Sequence, residues 1–232
     1  TITGIEIQNN KIIELNCLSK KNIKILNDDV IISTLPITLT AKLLGYNSKL
    51  KFRGIKSVYL HYDKKQILPD KYQWFYYDDL KILFNRITET KKLTKFTAPK
   101  NQTMLTAEIT FSAGDEIDRM GDKKVMEKVI EEISKVNLVE KKYLKNVSIN
   151  TESFVYPVQT KGYNEELSKA KSIINKYEKL YSIGTGGEFN YADSQILFHK
   201  AFDIVEILCN KESQKSQVIR KININRMNTE IK

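Results

Sequence analysis

Leu180-Tyr181-Ser182-Ile183-Gly184-Thr185-Gly186-Gly187-Glu188-Phe189-Asn190-Tyr191-Ala192-Asp193-Ser194-Gln195-Ile196 reads as a buried strand, a glycine-rich connection and the start of a helix. The helix runs to Leu208 and places Leu197, Ala201, Val205 and Leu208 on one stripe. A glycine-rich loop between strand and helix brings backbone N–H groups and a helix N-terminus toward one point, which suits an anion or a polarised carbonyl. The loop departs from the dinucleotide fingerprint, because after Gly184 and Gly186 the third glycine would fall at residue 189, which is Phe. It also lacks the lysine of a P-loop. A tight strand-to-helix turn capped by Asp193 or Ser194 is the competing reading, and this loop alone leaves both open.

A second strand-turn-helix lies upstream. Val30-Ile31-Ile32-Ser33-Thr34 is apolar and β-branched, as suits a strand covered on both faces. Pro36 then stands at a helix start and Gly45 just past its end, with Leu39, Leu43 and Leu44 inward. Before it come short strands from Gly4 to Leu26 with a turn at Asn9-Asn10. Between the two units the pattern changes to longer, aromatic strands at Phe52 to Tyr62, Tyr72 to Tyr77, Ile82 to Ile87, Thr103 to Phe111 and Val147 to Tyr156, which predict a mixed or antiparallel sheet. Helices are expected from an Asp122 N-cap onward, with Val125, Val129 and Ile133 on one stripe, and from Asn164 to about Lys179.

Taken with the glycine-rich loop, the Asp29-Val30-Ile31-Ile32-Ser33-Thr34-Leu35-Pro36 run resembles FAD-dependent amine oxidoreductases, within them the branch of protoporphyrinogen-oxidase-like and UDP-galactopyranose-mutase-like proteins. Phe52-Arg53-Gly54-Ile55-Lys56, Phe84-Asn85-Arg86-Ile87 and Tyr156-Pro157-Val158 with Gly162-Tyr163 are similar to segments of bacterial members linked to surface polysaccharides. The resemblance spans Thr3 to about Leu208. It implies an α/β fold with an α+β insertion. Residues 1–48 and 178–210 would form a partial Rossmann-type FAD-binding domain, residues 49–177 a mixed-sheet substrate-binding domain, and 211–232 a basic C-terminal tail with six Lys/Arg against two Glu.

The resemblance also implies roles. Thr34 and Pro36 would lie near FAD, Gly184, Thr185 and Gly186 beside its ribityl-pyrophosphate, and the backbone of Ser194, Gln195 and Ile196 at the flavin ring, where a helix N-terminus stabilises negative charge. Thr185 stands where members of the family often carry an acid. Arg53, Asn85, Arg86, Tyr156 and Tyr163 would bind substrate. A Rossmann-type domain needs a first strand, a GxGxxG turn and an acidic residue about 20 positions on, and none of these precedes Thr1. The chain is therefore expected to be the C-terminal part of a larger flavoprotein, inactive alone, with FAD held only by the full-length protein. The implied function is that of an FAD-dependent, amine-oxidase-like oxidoreductase acting on a sugar nucleotide or polysaccharide precursor, with a small, phosphate-bearing substrate as partner. Strand edges left unpaired are expected to drive self-association.

Charge supports a competing class. Across 232 residues, 38 basic and 28 acidic side chains leave +10, a usual footprint of nucleic-acid binding. Lys outnumbers Arg by 33 to 5 amid abundant Ile and Asn, as AT-rich codons produce, so a solvated surface without nucleic acid is the preferred reading over a basic nucleic-acid-binding or non-catalytic interaction protein. The scarcity of arginine makes Arg53 and Arg86 notable, because Arg forks onto phosphate and carboxylate where Lys is a point charge. Arg86 could instead pair with Glu89 across a turn.

The remaining candidates are weaker. Tyr72, Trp74, Phe75, Tyr76 and Tyr77 read either as an aromatic wall or as sheet packing. His61 and His199 lack partners at motif spacing, and Asp115, Glu116 and Asp118 read as a loop rather than a metal site. Cys17 and Cys209 carry no disulfide or zinc pattern, which points to a cytoplasmic setting. Hydrophobic residues at 41% and charged residues at 28% exclude disordered classes, and no apolar stretch approaches the roughly 20 residues of a membrane span.

Overall fold

A computed structural model describes residues 1–18 and 21–209; the basic tail read at 211–232 lies outside the described residues. In chain order the first elements are β1 (Ile2–Gln8), β2 (Lys11–Cys17), β3 (Ile23–Lys24), β4 (Ile31–Ser33), α1 (Ile37–Leu43), β5 (Lys51–Tyr62), β6 (Trp74–Tyr76), β7 (Arg86–Glu89) and β8 (Thr103–Ser112). There follow α2 (Glu116–Arg119), α3 (Asp122–Lys135), β9 (Leu144–Val158), α4 (Tyr163–Ile174), β10 (Leu180–Ser182), α5 (Gly184–Glu188) and α6 (Ser194–Cys209). The chain divides into two compact units, Thr1–Lys51 with the chain from Tyr156 onward, and Phe52–Val155.

In the first unit β1, β2 and β3 form a three-stranded sheet, and the β1–β2 hairpin turns on Asn9 and Asn10. Both take positive φ, 50° and 59°, which a two-residue turn matched to strand twist requires and asparagine tolerates. A separate parallel pair joins β4 and β10 in register, Leu180 opposite Ile31 and Ser182 opposite Ser33. Helix α1 starts after Pro36, which occupies the N-cap rather than the first helical position.

Helix α4 stops at Ile174, short of the expected Lys179, and belongs to this unit rather than to the inserted one. The reason is visible in its contacts. The Glu166 carboxylate accepts from the Tyr46 hydroxyl at 2.9 Å and the Lys49 backbone N–H at 2.8 Å, while Leu167, Ala170 and Ile174 are buried.

The second unit is a five-stranded sheet in the order β6-β7-β8-β5-β9, with β6–β7, β7–β8 and β8–β5 antiparallel. Strict alternation in β5 buries Phe52, Gly54, Lys56, Val58, Leu60 and Tyr62 on one face. Helix α3 lays Val125, Val129 and Ile133 on that face against Leu105, Ala107 and Ile109. Such side chains contribute about 1.5–3 kcal/mol each when fully buried. Lys56, 4% exposed, sends its Nζ to the Met120 carbonyl at 3.0 Å and to the Asp122 carboxylate at 3.3 Å. Gly121, and not Asp122 as expected, is the N-cap of α3; Asp122 is the first helical residue and its carboxylate faces Lys56.

The strand expected over Ile82–Ile87 begins only at Arg86. Upstream of it the Leu83 N–H donates to the Glu132 carboxylate at 2.8 Å, and Phe84 turns into the core, edge-on to Tyr77 with ring centroids 5.0 Å apart. Among the described residues no helix is long and apolar enough to cross a membrane.

Candidate functional site

The turn after β4 and the glycine segment after β10 are locked together. The Ile183 N–H donates to the Ser33 carbonyl at 3.0 Å, and the Ser182 hydroxyl to the Gly187 carbonyl at 2.9 Å. A Cβ on Gly186 would lie 3.3 Å from Pro36 Cα, and one on Gly187 only 2.9 Å from Ser182 Oγ. These two glycines let backbone approach backbone. Gly184 differs: its φ is +83°, and a Cβ there would face open space, so conformation rather than packing selects glycine. Ser33 Oγ and Thr40 Oγ1 lie 2.9 Å apart and hold the turn containing Thr34 onto α1.

The expected open loop is shorter than the sequence suggests. Gly184–Glu188 winds into a single helical turn, closed by Phe189 in the left-handed region at φ 56°. Phe189 is fully buried against Tyr163, ring centroids 5.9 Å apart, which supplies the packing that offsets the strain. Thr185 accepts the Asn190 N–H through its carbonyl at 3.0 Å. The one-turn helix is tied to α6 by a buried ion pair between Glu188 and Lys200 at 2.5 Å, with side chains 11% and 6% exposed.

Helix α6 opens at Ser194 and Gln195, both exposed, and Ile196, half-buried. The Ile196 and Leu197 N–H groups already donate to the Asp193 carbonyl at 3.0 Å and 3.2 Å, so any backbone donor left for a ligand at this helix start belongs to Ser194 or Gln195. The stripe predicted to face inward does not: Ala201 and Val205 are exposed, while Lys200, Ile204 and Ile207 are buried, the last two against Tyr181 and Ile183.

In the inserted unit the sheet face opposite α3 carries the predicted arginines. Register places Tyr76, Arg86, Glu108 and Ser57 in one row across four strands, and Trp74, Thr88, Thr106 and Tyr59 in the next. Arg86 Nη2 meets Glu108 Oε1 at 2.7 Å and Oε2 at 2.6 Å, Nη1 donates to the Tyr76 hydroxyl at 3.3 Å, and the guanidinium sits over the Tyr76 ring. The hydrogen bond to Glu108 raises the Arg86 pKa and keeps it charged. Its Nε is buried without a hydrogen-bond partner. Arg86 therefore pairs with Glu108, not with Glu89. Arg53 is exposed on the same face and donates to Thr110 Oγ1 at 2.9 Å.

Asn85, exposed just before β7, uses its backbone to link Tyr77 and Glu108. Tyr156 and Tyr163 belong to the other unit, where they stack on Tyr191 at 5.3 Å and on Phe189. The aromatic run alternates: Phe75 and Tyr77 pack toward the core, as the sheet-packing reading expects, and Trp74 and Tyr76 face out. Glu108 escaped sequence reasoning, although a lone acid within the apolar Thr103–Ser112 strand was the signal for it.

The other singled-out residues have local duties. Asp115 caps α2, accepting from the Asp118 N–H at 2.8 Å and the Ser112 N–H at 2.6 Å, and Asp118 accepts from Gly114 at 2.7 Å. Burial pushes the Asp115 carboxyl up, but the N–H donors of Ser112, Asp118 and Ile117 outweigh it and hold the pKa below its ordinary value. His61 Nε2 lies 2.8 Å from Gln102 Oε1, and His199 is exposed. Among the described residues no three His, Cys, Asp or Glu side chains converge on a metal position.

No family model matches the sequence. No curated protein matches it either. Solved structures do. A reduced UDP-galactopyranose mutase superposes with a TM-score of 0.73 at 16% identity, over 92% of this chain and 47% of that one. A protoporphyrinogen oxidase-like protein from Exiguobacterium sp. 255-15 gives 0.62 at 17%, over 80% and 41%. A myxobacterial chondrochloren halogenase, described as a variant of FAD-dependent halogenases, gives 0.51 at 7%, over 95% and 49%. The mixed α/β fold is thus that of FAD-dependent oxidoreductase-like proteins, and the chain spans about half the length of the structures it matches.

Proposed function

We propose that this chain supplies part of the flavin wall and the substrate-binding unit of an FAD-dependent oxidoreductase acting on a sugar nucleotide or polysaccharide precursor. The observation that carries the reading is the lock between the Ser33–Pro36 turn and the Gly184–Gly187 segment, set in a fold superposing on UDP-galactopyranose mutase at a TM-score of 0.73. The residues fit a flavin nucleotide in two respects. Gly184 holds a positive φ beside open space, which lets an anionic group approach the backbone, and the exposed start of α6 offers N–H donors with the positive end of its dipole. FAD, when bound, supplies the electron transfer.

The chain's own residues bind and orient. Thr34, Pro36, Gly184, Thr185 and Gly186 flank the ribityl-phosphate side, and Ser194, Gln195 and Ile196 present the α6 terminus. On the open sheet face of the inserted unit, Arg86, its plane fixed by Glu108 and Tyr76, contacts an acidic part of the substrate together with Arg53 and Asn85, whereas Tyr156 and Tyr163, expected to join them, pack on Tyr191 and Phe189 in the other unit. In this reading Thr1–Lys51 with the chain from Tyr156 to Cys209 acts as the cofactor part and Phe52–Val155 as the substrate part, in place of the 1–48, 178–210 and 49–177 bounds the sequence suggested, in a cytoplasmic protein.

The test is to purify the complete product of the natural gene and record its absorbance. Flavin bands that survive gel filtration, and that are lost in a Gly184→Val variant of native circular dichroism, support the reading. A colourless protein that takes up no FAD on reconstitution refutes it.

A further inference from the structure

We propose that the inserted unit carries a second site, a cationic cavity for a nucleoside di- or triphosphate. Lys65, Lys91, Lys92, Lys95, Lys100 and Phe96 line a cavity of about 400 Å³, within the range of small-ligand sites. It shares no residue with the Arg53 and Arg86 face, and it does not rest on the flavin reading.

Among the described residues only one exposed carboxylate, Asp70, interacts with these lysines, through Lys92 and more weakly Lys65. Glu89 also lines the cavity, but it is fully buried, and its carboxylate already accepts from the backbone N–H groups of Ile67 at 3.0 Å and Leu68 at 2.7 Å and from the Thr103 hydroxyl at 2.7 Å. Its acceptor capacity is largely spent on neutral donors. Lys92 reaches only the Pro69 carbonyl at 3.3 Å and an Asp70 carboxylate that is 93% exposed at 3.5 Å, a pair that solvent screens. Among the described residues no carboxylate lies within ion-pair distance of Lys65, Lys95 or Lys100.

Lys91 is the structural exception. Its Nζ donates at 2.7 Å to each of the Pro99, Lys100 and Gln102 carbonyls, which fixes the segment that carries Lys100 onto the cavity. Like charges gathered around one concavity repel each other until an anion enters. Lysine ammoniums suit phosphate oxygens as mobile point charges.

Phe96 names the rest of the ligand. Its ring is 85% exposed at the cavity, and the Lys95 ammonium stands 5.3 Å from its centroid. An aromatic ring left in water beside ammonium groups is a stacking platform for a base whose phosphates those groups hold.

The test is calorimetric titration of the intact chain with ADP, inorganic tripolyphosphate and single-stranded oligonucleotides of increasing length, at low and high salt. ADP is expected to bind with an affinity that falls as salt rises. The Lys65→Ala/Lys92→Ala/Lys100→Ala variant should lose about tenfold or more for ADP and tripolyphosphate alike, from about two- to fivefold per lysine. Phe96→Ala should lose about fivefold or more for ADP and leave tripolyphosphate unchanged. Lys91 stays intact in every variant, and circular dichroism checks folding. Absence of ADP binding at millimolar concentration, unchanged binding by the folded triple variant, or affinity that grows with oligonucleotide length while ADP fails to bind would each overturn the site.

Discussion

Arg86 shows how far single residues could be read. Its scarcity marks it in the sequence, and it does lie on the open sheet face, but its partner Glu108 is 22 positions away and only strand register reveals it. Glu89, the near carboxylate, alternates to the buried face and carries the Ile67 and Leu68 amides instead. Proximity in sequence was the weaker guide because a strand sends neighbours to opposite faces. Gly54 had no signal beyond its place in a similar segment, yet its environment is specific: a Cβ there would lie 2.7 Å from the Glu152 carbonyl and would also run into the Phe111 ring. Gly54→Ala must shift backbone or ring, so we expect a loss of about 1–3 kcal/mol, read as a lower urea midpoint at unchanged slope. A variant as stable as the parent would show that β5 and β9 separate freely at this point.

At the scale of elements, α6 is where sequence reading misplaced a face. The helix is apolar on nearly every side, so Leu197, Ala201, Val205 and Leu208 offered a stripe as good as any, and nothing local disclosed that Lys200 turns inward to meet Glu188. That buried pair gives an asymmetric prediction. Lys200→Met strands a carboxylate and should cost about 3–5 kcal/mol, whereas Lys200→Met with Glu188→Leu removes both charges and should recover most of it; thermal melts of the two variants compare them directly. A second element-scale prediction concerns α4. The Lys49 N–H, then the Tyr46 hydroxyl, against the opposing effect of burial, hold the Glu166 carboxyl below its ordinary pKa. A depressed carboxyl adds stability that is present above its unfolded pKa and drains as pH falls through the folded one. The stability gap between the parent and Glu166→Gln should therefore be largest near neutral pH and close on acidification toward pH 3. A gap independent of pH would mean that the carboxylate charge plays no part in docking α4.

At the scale of the molecule, the alternation of β5 and the stripe of α3 were legible because one buried face imposes one period, and the sheet of the inserted unit follows from them. The strands and helices of the first unit were legible locally but their pairing was not, since β4 and β10 are three residues each and pair across the 146 positions between Ser33 and Leu180. That pair also shapes the last prediction. Parallel strands are ordinarily covered on both faces within larger sheets, but here two strands stand by themselves, with Ile32 46% exposed. Along α6, Phe198, Phe202 and Val205, spaced to share one face, are 68%, 71% and 53% exposed. Apolar surface gathered in this way is a contact surface, and unpaired strand edges recruit other strands. The 232-residue chain alone should therefore self-associate at tens of micromolar. Phe198→Lys with Phe202→Lys leaves the buried Lys200, Ile204 and Ile207 face untouched, so it should shift sedimentation toward the monomer without changing the circular dichroism spectrum. A parent chain that sediments as a monomer would show that neither this face nor the β4–β10 edge drives association.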